Sequence, residues 1–146
     1  MIKRLAFITL GCLGLGLAYV FQEYLDAYSV LFEFSFPKKL EYTAHFTEVE
    51  TFPFVVNKVF RYLVNDLFSI AIIYGLFFEK KYARFAFWVM AFGLVVMLPA
   101  YLVIYLNRPE GFSSMLSHLH RVVMNPVLMM LLIPAFFYQK KIQANS

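Results

Sequence analysis

Four apolar runs stand out along the chain, near 5–22, 61–79, 85–106 and 120–138, with charged or mixed stretches between them. Each approaches the ~20 residues a helix needs to cross about 30 Å of hydrocarbon at ~1.5 Å per residue. Because a backbone inside lipid must satisfy its own hydrogen bonds, the runs predict helices. The fold class that follows is all-α: a polytopic membrane protein, a four-transmembrane-helix bundle forming one integral membrane domain over 1–146. The segment 23–60 is left as an outer loop. Its first part, "EYLDAYSVLFEFSF" (23–36), is too interrupted by acids to span. Its Tyr24, Tyr28, Phe32, Phe34 and Phe36 suit the headgroup level, which predicts an interfacial or re-entrant stretch. Pro37 and Pro53 bracket a polar loop, and Pro126 and Pro134 predict kinks in the fourth run.

The first run, "MIKRLAFITLGC", has the basic start and pre-cysteine small residue of a cleaved lipoprotein signal. The apolar sequence nevertheless continues through "LGLGLAYVF", and cleavage at Cys12 would strand about ten apolar residues, too few to span. An uncleaved helix is the expectation. Its Gly11, Gly14, Gly16 and Ala18 offer close helix approach, with Gly14 and Ala18 on one face.

Composition agrees with the pattern. The 146 residues are 62% hydrophobic and only 15% charged, against about a quarter charged in soluble domains. The formal charge of +4 matters less than its placement. Lys3 and Arg4 precede the first run, Lys80, Lys81 and Arg84 separate the second from the third, and Lys140 and Lys141 follow the fourth. By the positive-inside rule the N- and C-termini are cytoplasmic, and the acid-rich 23–60 segment faces outward. Lys and Arg dispersed in this way argue against nucleic acid as a partner. One cysteine, Cys12, allows no internal disulfide and no multi-cysteine metal site.

Two segments sixty residues apart share a layout: "RYLVNDLFSIAIIYGLFFEKK" at 61–81 and "RVVMNPVLMMLLIPAFFYQKK" at 121–141. Arg61 matches Arg121, Asn65 matches Asn125, and both close on paired lysines. Arg61 to Lys80 is 19 steps, about 28 Å of helix, which would pin two equal spans between Arg outside and Lys inside. A parallel repeat of helical hairpins is topologically allowed. If the two helix heads are neighbours, Arg61, Asn65, Asp66, His118, Arg121 and Asn125 converge near the outer surface, with Asp66 pairing with Arg121. Two readings stay open. One is an outward-facing polar vestibule that binds a partner; the other is structural, with arginines snorkelling and asparagines bonding between helices.

Other chemistry finds little footing. His118 and His120, two apart on a helix, point to different faces, and no carboxylate stands at ligand spacing, so no metal site is expected. Ser114 and His118 share a helical turn, but no third group orients them as a nucleophile and base. Cys12 lies ~12 Å along the helix from Arg4, away from the His–Arg cluster. No phosphate loop, dinucleotide fingerprint or haem motif occurs, and no cofactor is expected.

"RYLVNDLFSIAIIYGLF" followed by "NPVLMMLLIPAFFYQKK", in a chain of this size with an acidic-aromatic segment after its first helix, resembles the exosortase F system-associated membrane proteins of flavobacteria. The more specific parts are Arg61-Tyr62 with Asn65, and the "PAFFYQ" ending from Pro134 to Gln139. The resemblance implies a multi-pass inner-membrane accessory to an exosortase, a transpeptidase-like enzyme that processes sorting signals of exported proteins. That activity is expected to need Cys, Arg and His at the outer face. This chain places Arg and His there but no Cys, which implies a non-catalytic accessory binding the exosortase or its exported substrate. The alternative from another class is a small transporter or channel using Asp66, Arg61 and Arg121. Against it, the inner halves of runs two to four carry no ionisable lining.

Overall fold

A computed structural model describes residues 1–33, 50–107, 111 and 113–145. All regular structure among them is helical: α1 (Ile2–Val20), α2 (Thr51–Phe77), α3 (Lys80–Phe92), α4 (Leu98–Asn107), α5 (Ser113–Met124) and α6 (Val127–Asn145). Helix α1, helix α2 and the continuous stretch Lys80–Asn107 are each long and apolar enough to cross a membrane. The pair Ser114–Met124 and Val127–Asn145, bent by 57°, makes a fourth if it counts as one span. Phe34, Phe36 and Pro37 of the expected interfacial stretch and loop lie outside the described residues.

Helices α1 and α2 pack antiparallel through small residues. Gly11, Gly14 and Ala18 are buried on one face of α1, as their spacing predicts, while Gly16 faces open space. From the other side Gly75 of α2 admits the α1 backbone: a Cβ there would lie 3.0 Å from the Arg4 carbonyl oxygen and 3.0 Å from the Ile8 nitrogen. Helices α2 to α6 enclose a core of Tyr62, Ile73, Phe77, Tyr82, Met90, Leu98, Tyr101 and Phe136, among others.

The basic clusters share one end of the bundle. Arg4 lies over the Phe78 ring at 5.2 Å, Glu79 pairs with Lys81 at 3.0 Å and with Lys140 at 3.7 Å, and Lys81 reaches Gln143 at 3.4 Å. At that end Phe77 packs on Tyr82 and on Phe136 and Phe137, which closes the helices with aromatic rings.

Three boundaries differ from the sequence reading. Helix α2 begins at Thr51, ten residues before Arg61, so part of the expected outer loop is helix. Pro53 falls in the first turn, where a missing N–H removes no helical bond. Lys80 opens α3 and does not close α2, because Phe78 takes the left-handed cap conformation (φ 53°). The fourth run is two helices: Pro126 has no N–H to donate to Val122 and breaks the ladder. Val127 bonds Asn125 at 2.7 Å and the helix resumes with Met130 bonding Pro126 at 2.9 Å. The 61–81 and 121–141 segments are therefore not equivalent straight pins. The chain runs helical through Pro134, the second expected kink.

Between α3 and α4 a π-turn spans Gly93–Met97, with Leu98 N–H bonding Gly93 five residues back. Beside it the Tyr62 hydroxyl donates to the Met90 carbonyl at 3.0 Å. A Cβ on Gly93 would collide with that hydroxyl. Gly93→Ala should therefore displace Tyr62 and destabilise the bundle by about 1–2 kcal/mol, read as a lower midpoint in detergent unfolding. Most of the loss should vanish when Tyr62→Phe is already present.

Candidate functional site

Helix α2 buries a polar stripe: Asn57, Lys58, Arg61, Tyr62, Asn65, Asp66 and Ser69. Residues 58, 61, 62, 65 and 69 recur at the three- and four-residue spacing that puts side chains on one face. Buried polar groups of this kind must find partners. In its deeper half, Asn65 Nδ2 donates to the Met124 carbonyl at 2.8 Å, and the Ser69 hydroxyl donates to Asn65 O at 2.8 Å. Met124 is the last residue of α5, so its carbonyl is one of those freed by the Pro126 break.

Toward the end away from the basic clusters, Lys58 is 1% exposed and sits over the rings of Phe54 at 5.1 Å and Tyr101 at 5.8 Å. Tyr105 stacks on Phe54 with centroids 4.5 Å apart. The Tyr101 hydroxyl and His120 Nδ1 form a 3.0 Å hydrogen bond. Arg61 donates through Nη2 to Gln22 Oε1. Lys58 of α2 and His120 of α5 thus meet at Tyr101.

The segment after α1, with short turns at Gln22–Tyr24 and Ser29–Glu33, is latched to α2. Asn57 Nδ2 donates to Asp26 Oδ1 at 3.1 Å, and the Tyr28 N–H donates to Asn57 Oδ1 at 2.9 Å. The Ser29 hydroxyl and amide both donate to Asp26. Tyr28, Phe32 and Phe52 pack ring to ring at 5.1–6.0 Å. Burial would raise the Asp26 carboxyl, but the hydrogen bonds from Ser29, Asn57 and Tyr28 outweigh it and hold the group below its ordinary value of 3.8. A depressed folded value gives stability that is fully present above the unfolded value and lost as pH falls through the folded one. A spin label at Leu31 should be immobile at neutral pH and become mobile only on acidification below the ordinary carboxylate range. In Asp26→Ala it should be mobile at every pH.

Of the six residues expected to converge, Arg61, Asn65 and Asp66 are buried on α2. Arg61, Asn65 and Asn125 line one cavity of about 190 Å³ with Leu15, Ala18, Tyr19 and Pro126. The two helix heads therefore meet, at Asn65–Met124 and around this cavity. Arg121 is exposed while Asp66 is buried, and the two form no ion pair, which corrects the expected pairing. His118 is exposed too, and its Nδ1–H donates to the Ser114 carbonyl at 2.8 Å, not to the hydroxyl. Lys58, Asn57, Gln22, Asp26 and His120 belong to the cluster and were missed. The four-residue spacing of Lys58, Arg61/Tyr62 and Asn65 was the available signal for Lys58. Among the described residues no three His, Cys, Asp or Glu side chains could hold a metal ion.

Fold and site together define a protein helical throughout the regular structure of its described residues, with membrane-length helices and a buried polar cluster at one end. No family model, curated protein or solved structure matches the chain.

Proposed function

We propose that the protein is a non-catalytic accessory subunit of an exosortase-type sorting system in the bacterial inner membrane. In this reading both termini are cytoplasmic, and the polar end faces outward to bind the exosortase or its exported substrate. The observation that carries it is the latched segment 22–33. It is held on α2 by Asp26, Asn57 and Tyr28, yet leaves Tyr24, Val30, Leu31 and Phe32 exposed beside Phe52 and Phe60. A fixed, aromatic-rich shelf at the membrane surface suits a protein partner, because rigid aromatic anchors dominate interface energetics. The polar cluster beneath it is engaged in holding helices together, which fits a scaffold better than a conduit.

Photo-crosslinkers placed at Leu31 and Phe32 test this in cells expressing the cognate exosortase. The expected result is a crosslink to the exosortase or to its exported substrate, reduced by about tenfold in Phe32→Glu, the loss a truncated hot spot produces. Absence of either crosslink, with the protein correctly inserted, would contradict the proposal.

A further inference from the structure

Helix α3 carries an exposed stripe that is cationic at its head and aromatic along its length. Lys81, Arg84, Phe85, Trp88 and Phe92 recur at the three- and four-residue spacing that puts side chains on one face. All five are exposed. Lys80, also exposed, stands one turn before Arg84 at the edge of that face. Phe85 is fixed there by an edge-on contact with Phe136 of α6, their centroids 5.7 Å apart. From Lys81 to Phe92 is 11 steps, about 16 Å of helix, close to one leaflet of a 30 Å hydrocarbon layer. The stripe ends where the π-turn begins at Gly93.

The charges at the head are unbalanced. Of the nine acids in the chain, Glu79 alone lies within ten residues of it, and that carboxylate is held by Lys81 and Lys140. Among the described residues, Lys80 and Arg84 form no ion pair. Two like charges one turn apart on a helix repel, so an anion between them stabilises both. Arg84 starts one turn deeper than Lys80 and reaches back to the headgroup level along its own stem. Below them the stripe offers only rings. A soluble anion would leave those rings uncovered, and an apolar partner helix would leave the cations unopposed. An amphipathic anion satisfies both halves. We propose that this stripe binds an anionic phospholipid of the leaflet at the basic end. Its phosphate lies between Lys80 and Arg84, whose planar fork matches phosphate oxygens, and an acyl chain lies along Phe85, Trp88 and Phe92. Clustered Lys and Arg beside a span attract anionic headgroups in this way. The site stands independently of any exosortase partner.

Trp88 is the one tryptophan of the chain, so its fluorescence reports the lipid on this stripe. The full chain is reconstituted in phosphatidylcholine vesicles containing chain-brominated phosphatidylglycerol or chain-brominated phosphatidylcholine at the same mole fraction. Quenching should show phosphatidylglycerol binding beside Trp88 about fivefold more strongly than phosphatidylcholine, the ratio one unopposed cation at a bilayer surface supplies. In the double variant Lys80→Gln/Arg84→Gln, at two exposed positions that leave folding intact, the preference should disappear. Lys3→Gln removes a charge from the same end but not from the stripe, and should leave the preference unchanged. Equal quenching by the two lipids in the unaltered protein would mean ordinary boundary lipid and overturn the site. An undiminished preference in the double variant, or an equal loss in Lys3→Gln, would assign it to diffuse charge and overturn the site too. So would a Trp88 that neither lipid quenches, because a protein partner or a second copy would then cover the stripe.

Discussion

Asn65→Leu is expected to destabilise the bundle by about 1–3 kcal/mol, the cost of leaving a buried polar group without its partner. The cause lies in another helix. Pro126 breaks α5 from α6 and frees the Met124 carbonyl, and Asn65 Nδ2 supplies that carbonyl at 2.8 Å. Leucine matches the volume but brings no donor, so a carbonyl is stranded in a water-poor interior. Lost contact at this point should also loosen α5 and α6 from α2. Restoring helix continuity should remove the need for Asn65: in a Pro126→Ala background the chain can re-form its own ladder. The coupling in that double-mutant cycle is the diagnostic. Unfolding in mixed detergent micelles, followed by loss of helicity, measures all four variants. If the Asn65→Leu loss is the same in both backgrounds, the hydrogen bond is not what joins these helices.

Gly11→Leu should be as damaging by a different route, costing about 1–3 kcal/mol through overpacking and weakening the seating of α1. A Cβ at Gly11 would meet the Phe68 carbonyl oxygen at 2.7 Å and the Ile72 nitrogen at 3.1 Å. Backbone atoms cannot rotate aside, so the helices must separate. Gly16→Leu serves as the control, because nothing lies within 4 Å of a Cβ there. Separation of α1 also draws Gln22 and Asp26 away from Arg61 and Asn57, linking the small-residue face to the polar end. The expected readout is a lower unfolding midpoint for Gly11→Leu and an unchanged one for Gly16→Leu. Equal effects at both positions would mean that α1 does not dock through this face.

The sequence announced features that follow from local chemistry and concealed those set by distant contacts. Apolar runs, basic clusters and the Gly11–Gly14–Ala18 face were legible because lipid and close packing act directly on residue type and spacing. Arg61, Asn65 and Asp66 were legible as polar residues within a span. The start of α2 was not, since "TFPFVVNKVF" carries Pro53, Asn57 and Lys58 and reads as loop. Those polar residues are tolerated in a helix because Asp26, Tyr28 and the rings of Phe54 and Tyr101 receive them. Two of those partners lie about thirty residues upstream of Asn57. Likewise His118 looked like the cluster histidine, standing one turn from Ser114. The rotation of α5 turns His120 inward to Tyr101 and leaves His118 outside. Pro126 was expected to kink its helix, but that its freed carbonyl would recruit Asn65 depended on a neighbour that spacing could not reveal.

The central claim is that α1, α2 and the α5–α6 break close around one cavity at a single end of the bundle. Tyr19 and Asn125 line that cavity from opposite sides, and both are exposed. The direct test is a Tyr19→Cys/Asn125→Cys pair in a Cys12→Ser background, treated in native membranes with a short bifunctional thiol crosslinker. The account predicts an efficient intramolecular crosslink for this pair, and none when Tyr19→Cys is combined with Lys140→Cys at the basic end. No crosslink between positions 19 and 125, with both thiols shown to be reactive, would contradict it.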